Sequence, residues 1–181
     1  PYTQQLFMTQ LSDKDFSVFQ EKMFRFPGFY VQKRSVREYV YPYAAHVLGD
    51  VGEVSPSDIE EDDYYQPGDY IGKLGLEKHY EKELRGTKGV KIMLRDARGR
   101  IQGSYQNGKL DQRPVAGKDL TLGIDVNLQA LGERLLQGKI GSIVAIDPRD
   151  GSVLAMVSSP SYDPRRLVGK NRGKMHKWLS Q

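Results

Sequence analysis

The apolar positions of the chain fall into short blocks of differing period. Phe16, Phe19 and Met23 recur at helical spacing and predict an amphipathic helix over 13–24. Ser12 and Asp15 form a capping box at its start, Leu11 and Phe16 a hydrophobic staple, and Pro27-Gly28 ends it as a turn. Residues 29–41, with Val36, Tyr39 and Val40, predict a strand. A short helix over 43–48 stops at Gly49, and Ser55-Pro56 caps a brief acidic turn or helix over 57–61. Residues 62–73, with Pro67-Gly68 and Asp69, predict a loop. Leu74, Leu76, Tyr80 and Leu84 then line one face of a helix that Gly86 closes.

Strands are predicted over 88–95 and 100–105, around a hairpin turn at 96–99, with a further turn at Asn107-Gly108. A third strand is predicted over 120–124. Asp125 caps a helix with Leu128, Leu131, Leu135 and Leu136 as its apolar positions and Gly138 at its end. Residues 142–146 and 152–157 flank Asp147-Pro148-Arg149-Asp150-Gly151, a strong hairpin signal. Beyond Pro160 the chain is polar, basic and punctuated by glycine. No internal repeat is present, and scattered strands among helices indicate an α+β fold.

At 181 residues the chain is long enough for one ordinary domain or two small ones. Its longest apolar stretches, 142–146 and 153–157, are far too short to span a bilayer. It opens on Pro1 without a Met, as a fragment is expected to. The absence of cysteine excludes disulfides, a thiol nucleophile and thiolate metal sites, and leaves the compartment open. The net charge of +4 is unevenly placed. Residues 165–181 carry six Lys or Arg and no acid, whereas residues 1–164 carry 21 basic against 23 acidic side chains.

Candidate chemistry is sparse. His46, His79 and His176 form no ligand-spaced pair, so no metal is expected. The acidic run Asp58, Glu60, Glu61, Asp62, Asp63 lacks the spacing of a calcium loop and fits a solvated helix end. Gly72-Lys73-Leu74-Gly75 precedes a helix, but neither a phosphate loop nor a dinucleotide fingerprint is present, and no cofactor is expected. The basic stretch 165–177 suggests a nucleic-acid arm, but Trp178 is its one neighbouring aromatic, and a charged surface segment or linker is favoured. None of the 12 serines stands in S-x-x-K, S-x-N, K-[ST]-G or a G-x-S-x-G elbow.

Four strings nevertheless occur in order. They are Tyr41-Pro42-Tyr43-Ala44-Ala45-His46-Val47-Leu48-Gly49; Gly72 through Glu81 with Leu84-Arg85-Gly86; Gly117-Lys118-Asp119-Leu120-Thr121-Leu122 with Asp125, Leu128 and Gln129; and Gly141 through Pro148 with Gly151, Leu154 through Ser158 and Pro160 through Pro164. Together they resemble the class B penicillin-binding proteins, most closely the elongation type (the penicillin-binding protein 2 group), over roughly residues 10–165.

The resemblance implies a periplasmic enzyme anchored to the bacterial inner membrane by an N-terminal helix absent from this chain. In such proteins a non-catalytic pedestal, or dimerisation domain, carries a D,D-transpeptidase domain that cross-links peptidoglycan through a serine acyl-enzyme and is acylated by β-lactams. It further implies a division into a pedestal over 1–117 and, over 118–181, the opening helix and hairpin of the transpeptidase domain, ending before its catalytic serine. The fragment itself is then non-enzymatic, and peptidoglycan and β-lactams would be met only through the missing catalytic domain. The implied partners are a rod-shape polymerase in the membrane and a periplasmic rod-shape scaffold protein, with a homodimer suggested by the domain's name. No nucleic acid is expected as a partner.

In this frame the motif residues have structural roles. Gly72 and Gly75 allow a tight turn into the following helix. Glu77 and Glu81 lie on one helical face with Tyr80 between them; such a pair suits acid–base chemistry, but the family context assigns it to packing or capping. Arg37, Tyr41, Glu77, Tyr80 and Arg85 are expected to hold the pedestal together by hydrogen bonds and ion pairs. Pro42, Gly86, Asp125, Asp147 and Gly151 complete the set. A lone hairpin over 139–157 is marginal, with Ile143, Ala145, Val153, Ala155 and Val157 making up its apolar faces. It is expected to be disordered, self-associated or covered by the helix over 126–137.

Overall fold

The computed structural model describes residues 5–9, 11–32, 34, 36–169 and 172–179. Helix α1 (Asp13–Lys22) starts where Ser12 Oγ accepts the Asp15 N–H at 3.2 Å and donates to the Asp15 carboxylate at 2.6 Å. It buries no residue, and the rings of Phe7, Phe19, Phe26 and Phe29 pack in series beside it. The described residues of 29–41 form no strand, which corrects the sequence expectation; Lys33 and Ser35 lie outside the described residues. Their β-prone valines, Val36 and Val40, are exposed, and side chains rather than a backbone ladder fix the segment, as shown below.

Helix α2 (Ala45–Leu48) ends at Gly49. Strand β1 (Val51–Glu53) pairs antiparallel with β2 (Tyr70–Gly72), a hairpin whose strands are too short to show alternation in sequence. Between them lies α3 (Pro56–Glu61), held by a Ser55/Asp58 capping box. The helix expected over 74–85 is two, α4 (Gly75–His79) and α5 (Glu81–Leu84), broken at Tyr80, where φ is −106° and ψ 24°. Strand β3 (Met93–Arg95) pairs with β4 (Ile101–Ser104) around the 96–99 turn, more narrowly than expected. Residues 87–92 meet the return chain at the bridges Thr87–Val115 and Val90–Gln112 and at Ile92, whose carbonyl accepts the Tyr105 N–H at 2.8 Å and whose N–H donates to Asp111 Oδ1 at 3.1 Å.

Residues 120–124 form no strand, again against expectation; next to them the Asp125 N–H donates to the Leu154 carbonyl of β6 (Val153–Ser159) at 2.8 Å. Helix α6 (Val126–Leu135) is capped by Asp125, whose carboxylate accepts from the N–H groups of Asn127 and Leu128. Strand β5 (Gly141–Ile146) pairs with β6 in the hairpin read from sequence, and α6 covers one of its faces. The buried face of α6 differs from the leucine stripe: Gln129 and Gly132 are buried, while Leu128, Leu131 and Leu135 are exposed. The hairpin's small residues, Ala155 and Val157, admit the helix where it is narrowest, and that is the glycine face. The basic stretch is not an extended linker. Pro164–Leu167 form a 3-10 turn with Pro164 and Leu167 buried, and Arg172–Leu179 form α7; Lys170 lies outside the described residues. Among the described residues no helix is long and apolar enough to cross a membrane.

Candidate functional site

The polar interior gathers where α4 and α5 meet the β1–β2 hairpin. Gly75 has φ +60°, and a Cβ there would stand 2.6 Å from both Gly49 N and Val47 O. A Cβ on Gly72 would stand 2.0 Å from Glu77 O. These two backbone approaches press the start of α4 against α2 and β2. The break at Tyr80 then lets Glu77 and Glu81 serve different partners. Glu77 is buried; Arg37 Nε and Nη2 each donate to its carboxylate at 2.8 Å, one to each oxygen, and Tyr39 OH lies 3.4 Å from Oε1. Burial, with Glu77 beside it, pushes the Tyr39 hydroxyl well above the usual tyrosine range. Glu81 accepts from Tyr65 OH at 2.9 Å and from Gly72 N–H at 2.8 Å, closing α5 onto β2.

Arg85 extends this network. It donates to Asp62 at 2.7 Å and lies over the Tyr64 ring, 3.9 Å from its centroid. The Arg85 guanidinium, with the Tyr64 N–H, holds the Asp62 carboxyl below the usual carboxylate range. Burial, aided by Glu81 and opposed by Arg85, pushes Tyr65 up to about 12. Asp69, buried, is paired with both Arg34 and Lys88 and accepts the Gln66 N–H at 2.8 Å. Burial acts to raise its pKa, but Lys88, Gln66 and Arg34 together hold it low. Lys73 pairs with Asp58 at the start of α3 and, with the Ser55 cap, depresses that carboxyl strongly.

A second cluster joins this unit to α6 and β6. Ala44, at φ 62°, donates its N–H to Glu133 Oε1 at 2.7 Å. The His46 ring lies 3.0 Å from the Pro160 carbonyl through Nε2 and packs edge-on against Tyr162, with 5.1 Å between centroids. Ser161 Oγ and Gln129 Nε2 also donate to Glu133, at 3.4 and 3.0 Å.

Of the residues singled out from sequence, Arg37, Glu77, Gly72 and Gly75 thus meet in one cluster, and Arg85 stands in the adjoining one. Gly86, at φ +68°, ends α5, where a Cβ would stand 2.3 Å from Val115 O. Tyr41 and Tyr80 are exposed, Tyr80 edge-on to His79, and Pro42 is half-buried in the bend before α2. Asp125, Asp147 and Gly151 lie apart, at the α6 cap and the β5–β6 turn, where Asp147 accepts the Arg149 N–H at 2.9 Å. Sequence reading passed over Tyr39, Tyr64, Tyr65, Asp69 and Glu133. A dense run of Tyr and Asp at 62–70 was the signal for Tyr64, Tyr65 and Asp69, but it reads equally as a loop, and Tyr39 and Glu133 carried no such signal. Glu77, Glu81 and Asp69 each accept from two or three donors, an arrangement that ties distant segments together.

A family model described as the penicillin-binding protein dimerisation domain matches residues 1–122. Peptidoglycan D,D-transpeptidase MrdA of Acinetobacter baumannii is 38% identical over an alignment of 163 residues, covering 87% of this chain and 23% of that protein. The structure of the complex between penicillin-binding protein PBP2 and MreC from Helicobacter pylori matches with a TM-score of 0.74 at 28% identity, covering 93% of this chain and 31% of that one. A structure of a peptidoglycan synthase complex, described as coordinating polymerization and crosslinking, matches with a TM-score of 0.62 at 26% identity, covering 94% of this chain and 32% of that one. The chain therefore spans about a quarter of the length of the MrdA relative. It belongs to the penicillin-binding protein dimerisation domain family.

Proposed function

We propose that these residues are the non-catalytic pedestal of a bacterial cell-wall D,D-transpeptidase, together with the opening helix and hairpin of its catalytic domain. The pedestal part runs over 1–117 and the opening elements over 118–181. The observation that carries this reading is the joint: the Ala44 N–H is held by Glu133, and the His46 ring by the Pro160 carbonyl and Tyr162. A support must hold what it positions, and here the string 41–49 holds the helix and hairpin that follow it. The similarity to MrdA and PBP2 proteins supports peptidoglycan cross-linking as the activity of the whole protein and β-lactams as its inhibitors. The likeness to a PBP2–MreC complex and to a peptidoglycan synthase complex supports a periplasmic scaffold protein and a membrane polymerase as partners. The protein acts on the periplasmic face of the inner membrane, to which an N-terminal helix outside these residues anchors it.

The test is to expose the full-length protein and the 181-residue chain to a labelled penicillin. The full-length protein is expected to be acylated at a serine outside these residues, and the short chain is expected to remain unlabelled. Absence of acylation in the full-length protein overturns the reading. Co-purification with the scaffold protein and the polymerase tests the partners separately.

A further inference from the structure

We infer that Asp50 and Arg172 form a latch that fixes the pedestal against the start of the catalytic part, so that Arg172 is a positioning residue; this rests on the transpeptidase reading above. Neither residue belongs to the four strings. Asp50, immediately before β1, is 1% exposed. Its Oδ2 receives Arg172 Nε at 2.8 Å and Nη2 at 2.6 Å, from the first residue of α7, 122 positions away in the chain. Its Oδ1 is buried with no hydrogen-bond partner among the described residues.

The seat for the arginine is built into β1. A Cβ at Gly52 would stand 2.6 Å from Arg172 Cζ and 2.9 Å from both terminal nitrogens, so the guanidinium lies against bare backbone. The chain leading to it docks as well: Leu167, 3% exposed, closes with Val168 and Gly169 on a crevice lined by Val36, Tyr39, Val51 and Tyr70.

A carboxylate held this far from water with one oxygen already unpartnered tolerates no further loss. Removing its cation leaves an uncompensated buried charge, which is far costlier than losing a surface pair. Two arrangements are therefore favourable, one with α7 docked and Asp50 paired, the other with α7 released and Asp50 hydrated. Intermediate ones are not, and this makes the joint a two-position element rather than a soft hinge.

The experiment uses the full-length protein with any further cysteines replaced, since this stretch has none. Spin labels are placed at the exposed positions Glu53 and Lys174, as E53C and K174C, and their distance distribution is measured. The wild type is expected to give one narrow distance. R172A is expected to broaden it and to raise amide exchange in α7 by about tenfold or more. R172K, which keeps the charge, is expected to restore part of both. D50N preserves the shape of the buried side chain and serves where R172A does not fold; it is expected to broaden the distribution in the same way. A distribution in folded R172A or D50N identical to that of the wild type overturns the latch. Acylation of the same wild-type sample by labelled penicillin reads the transpeptidase assignment independently. A wild type that is not acylated but whose narrow distance broadens in the variants overturns that assignment and Arg172's part in it, while the docking contact stands.

Discussion

Gln129 of α6 and Met156 of β6 bond each other twice: Gln129 Nε2 donates to the Met156 carbonyl at 3.0 Å, and the Met156 N–H donates to Gln129 Oε1 at 2.9 Å. Among the described residues strand β6 has β5 on one side only, and this pair, with the Asp125 bond to Leu154, occupies its other edge. Gln129 is itself 1% exposed. Replacing it with Leu keeps the volume but leaves both backbone groups without partners, which is expected to cost about 2–4 kcal/mol. Urea unfolding of Q129L checks this. A loss below about 0.5 kcal/mol would mean that water replaces the amide at no cost.

Glu77 and Arg37 make the next prediction. The pair is asymmetric, with the carboxylate side chain 10% exposed and the guanidinium 41% exposed, so Glu77 depends more on Arg37 than the reverse. E77A also removes the acceptor beside Tyr39. A loss of roughly 1–3 kcal/mol is expected, short of a fully buried pair because Arg37 remains partly hydrated. The double variant R37A/E77A is expected to lose less than the sum of the two single changes. An unchanged melting temperature in E77A sinks the idea that this pair holds the pedestal together.

Glycines at close approaches should be irreplaceable, and those in open space should not be. G72A drives a methyl onto Glu77 O at 2.0 Å, a backbone atom that cannot step aside. G28A meets nothing within 4 Å and suffers only the penalty of its φ of +95°. Thermal melts should show G72A losing most or all folded protein, and G28A losing on the order of 1 kcal/mol. Equal effects at the two positions would contradict the packing of α4 on β2.

How much of this was legible in the sequence depends on how local the cause is. Asp125 as a cap, the Asp147–Gly151 turn and the acidic helix after Ser55 are all set within five residues, and the chain shows them in the expected places. The tyrosines and valines of 29–41 satisfy strand propensity, yet the segment joins no sheet among its described residues. Its fixed points are Arg34 reaching Asp69, and Arg37 and Tyr39 reaching Glu77, each 35 to 40 residues ahead. β1 and β2 have three residues each, too few for alternation to register. The helix break at Tyr80 likewise has no local signal, because Glu77 and Glu81 are drawn to partners on separate elements. For the candidate site, the charged residues were visible as types, but pairings such as Asp50 with Arg172 exist only once the fold brings distant segments together.

The pH dependence of stability should have two limbs with different causes. Asp58 is held low by Lys73 and the Ser55 cap, and Asp69 by Lys88, Gln66 and Arg34 against its burial. Depressed carboxyls contribute stability that is present above the unfolded value near 3.9 and lost as pH falls through the folded values. The melting temperature is therefore expected to drop between about pH 5 and 2, less steeply in D58N. Tyr39 and Tyr65 are raised, Tyr65 to about 12, chiefly by burial. Their contribution is complete below the unfolded value near 10 and is lost as pH rises toward the folded values. Y65F should flatten that alkaline limb and leave the acid limb unmoved. A variant that shifts both limbs equally has lost packing rather than a titrating group.

Gly132 offers a test whose sign can be reversed. On an exposed helix face, Gly to Ala gains about 1 kcal/mol in helix propensity. Here the added methyl would stand 2.7 Å from Val157 Cγ2, where α6 presses on the hairpin. Overpacking of that kind costs about 1–3 kcal/mol, so G132A is expected to be neutral to destabilising by about 2 kcal/mol in the native background. V157A removes the methyl in the way, at its own cost in buried surface. In the V157A background the clash is gone and the propensity gain remains, so G132A should there stabilise by up to about 1 kcal/mol. The four proteins of the cycle, unfolded in urea, give the coupling directly. Should G132A destabilise equally with and without Val157, the contact that brings α6 down onto β6 lies elsewhere, and Gly132 is kept for the backbone rather than for the strand beneath it.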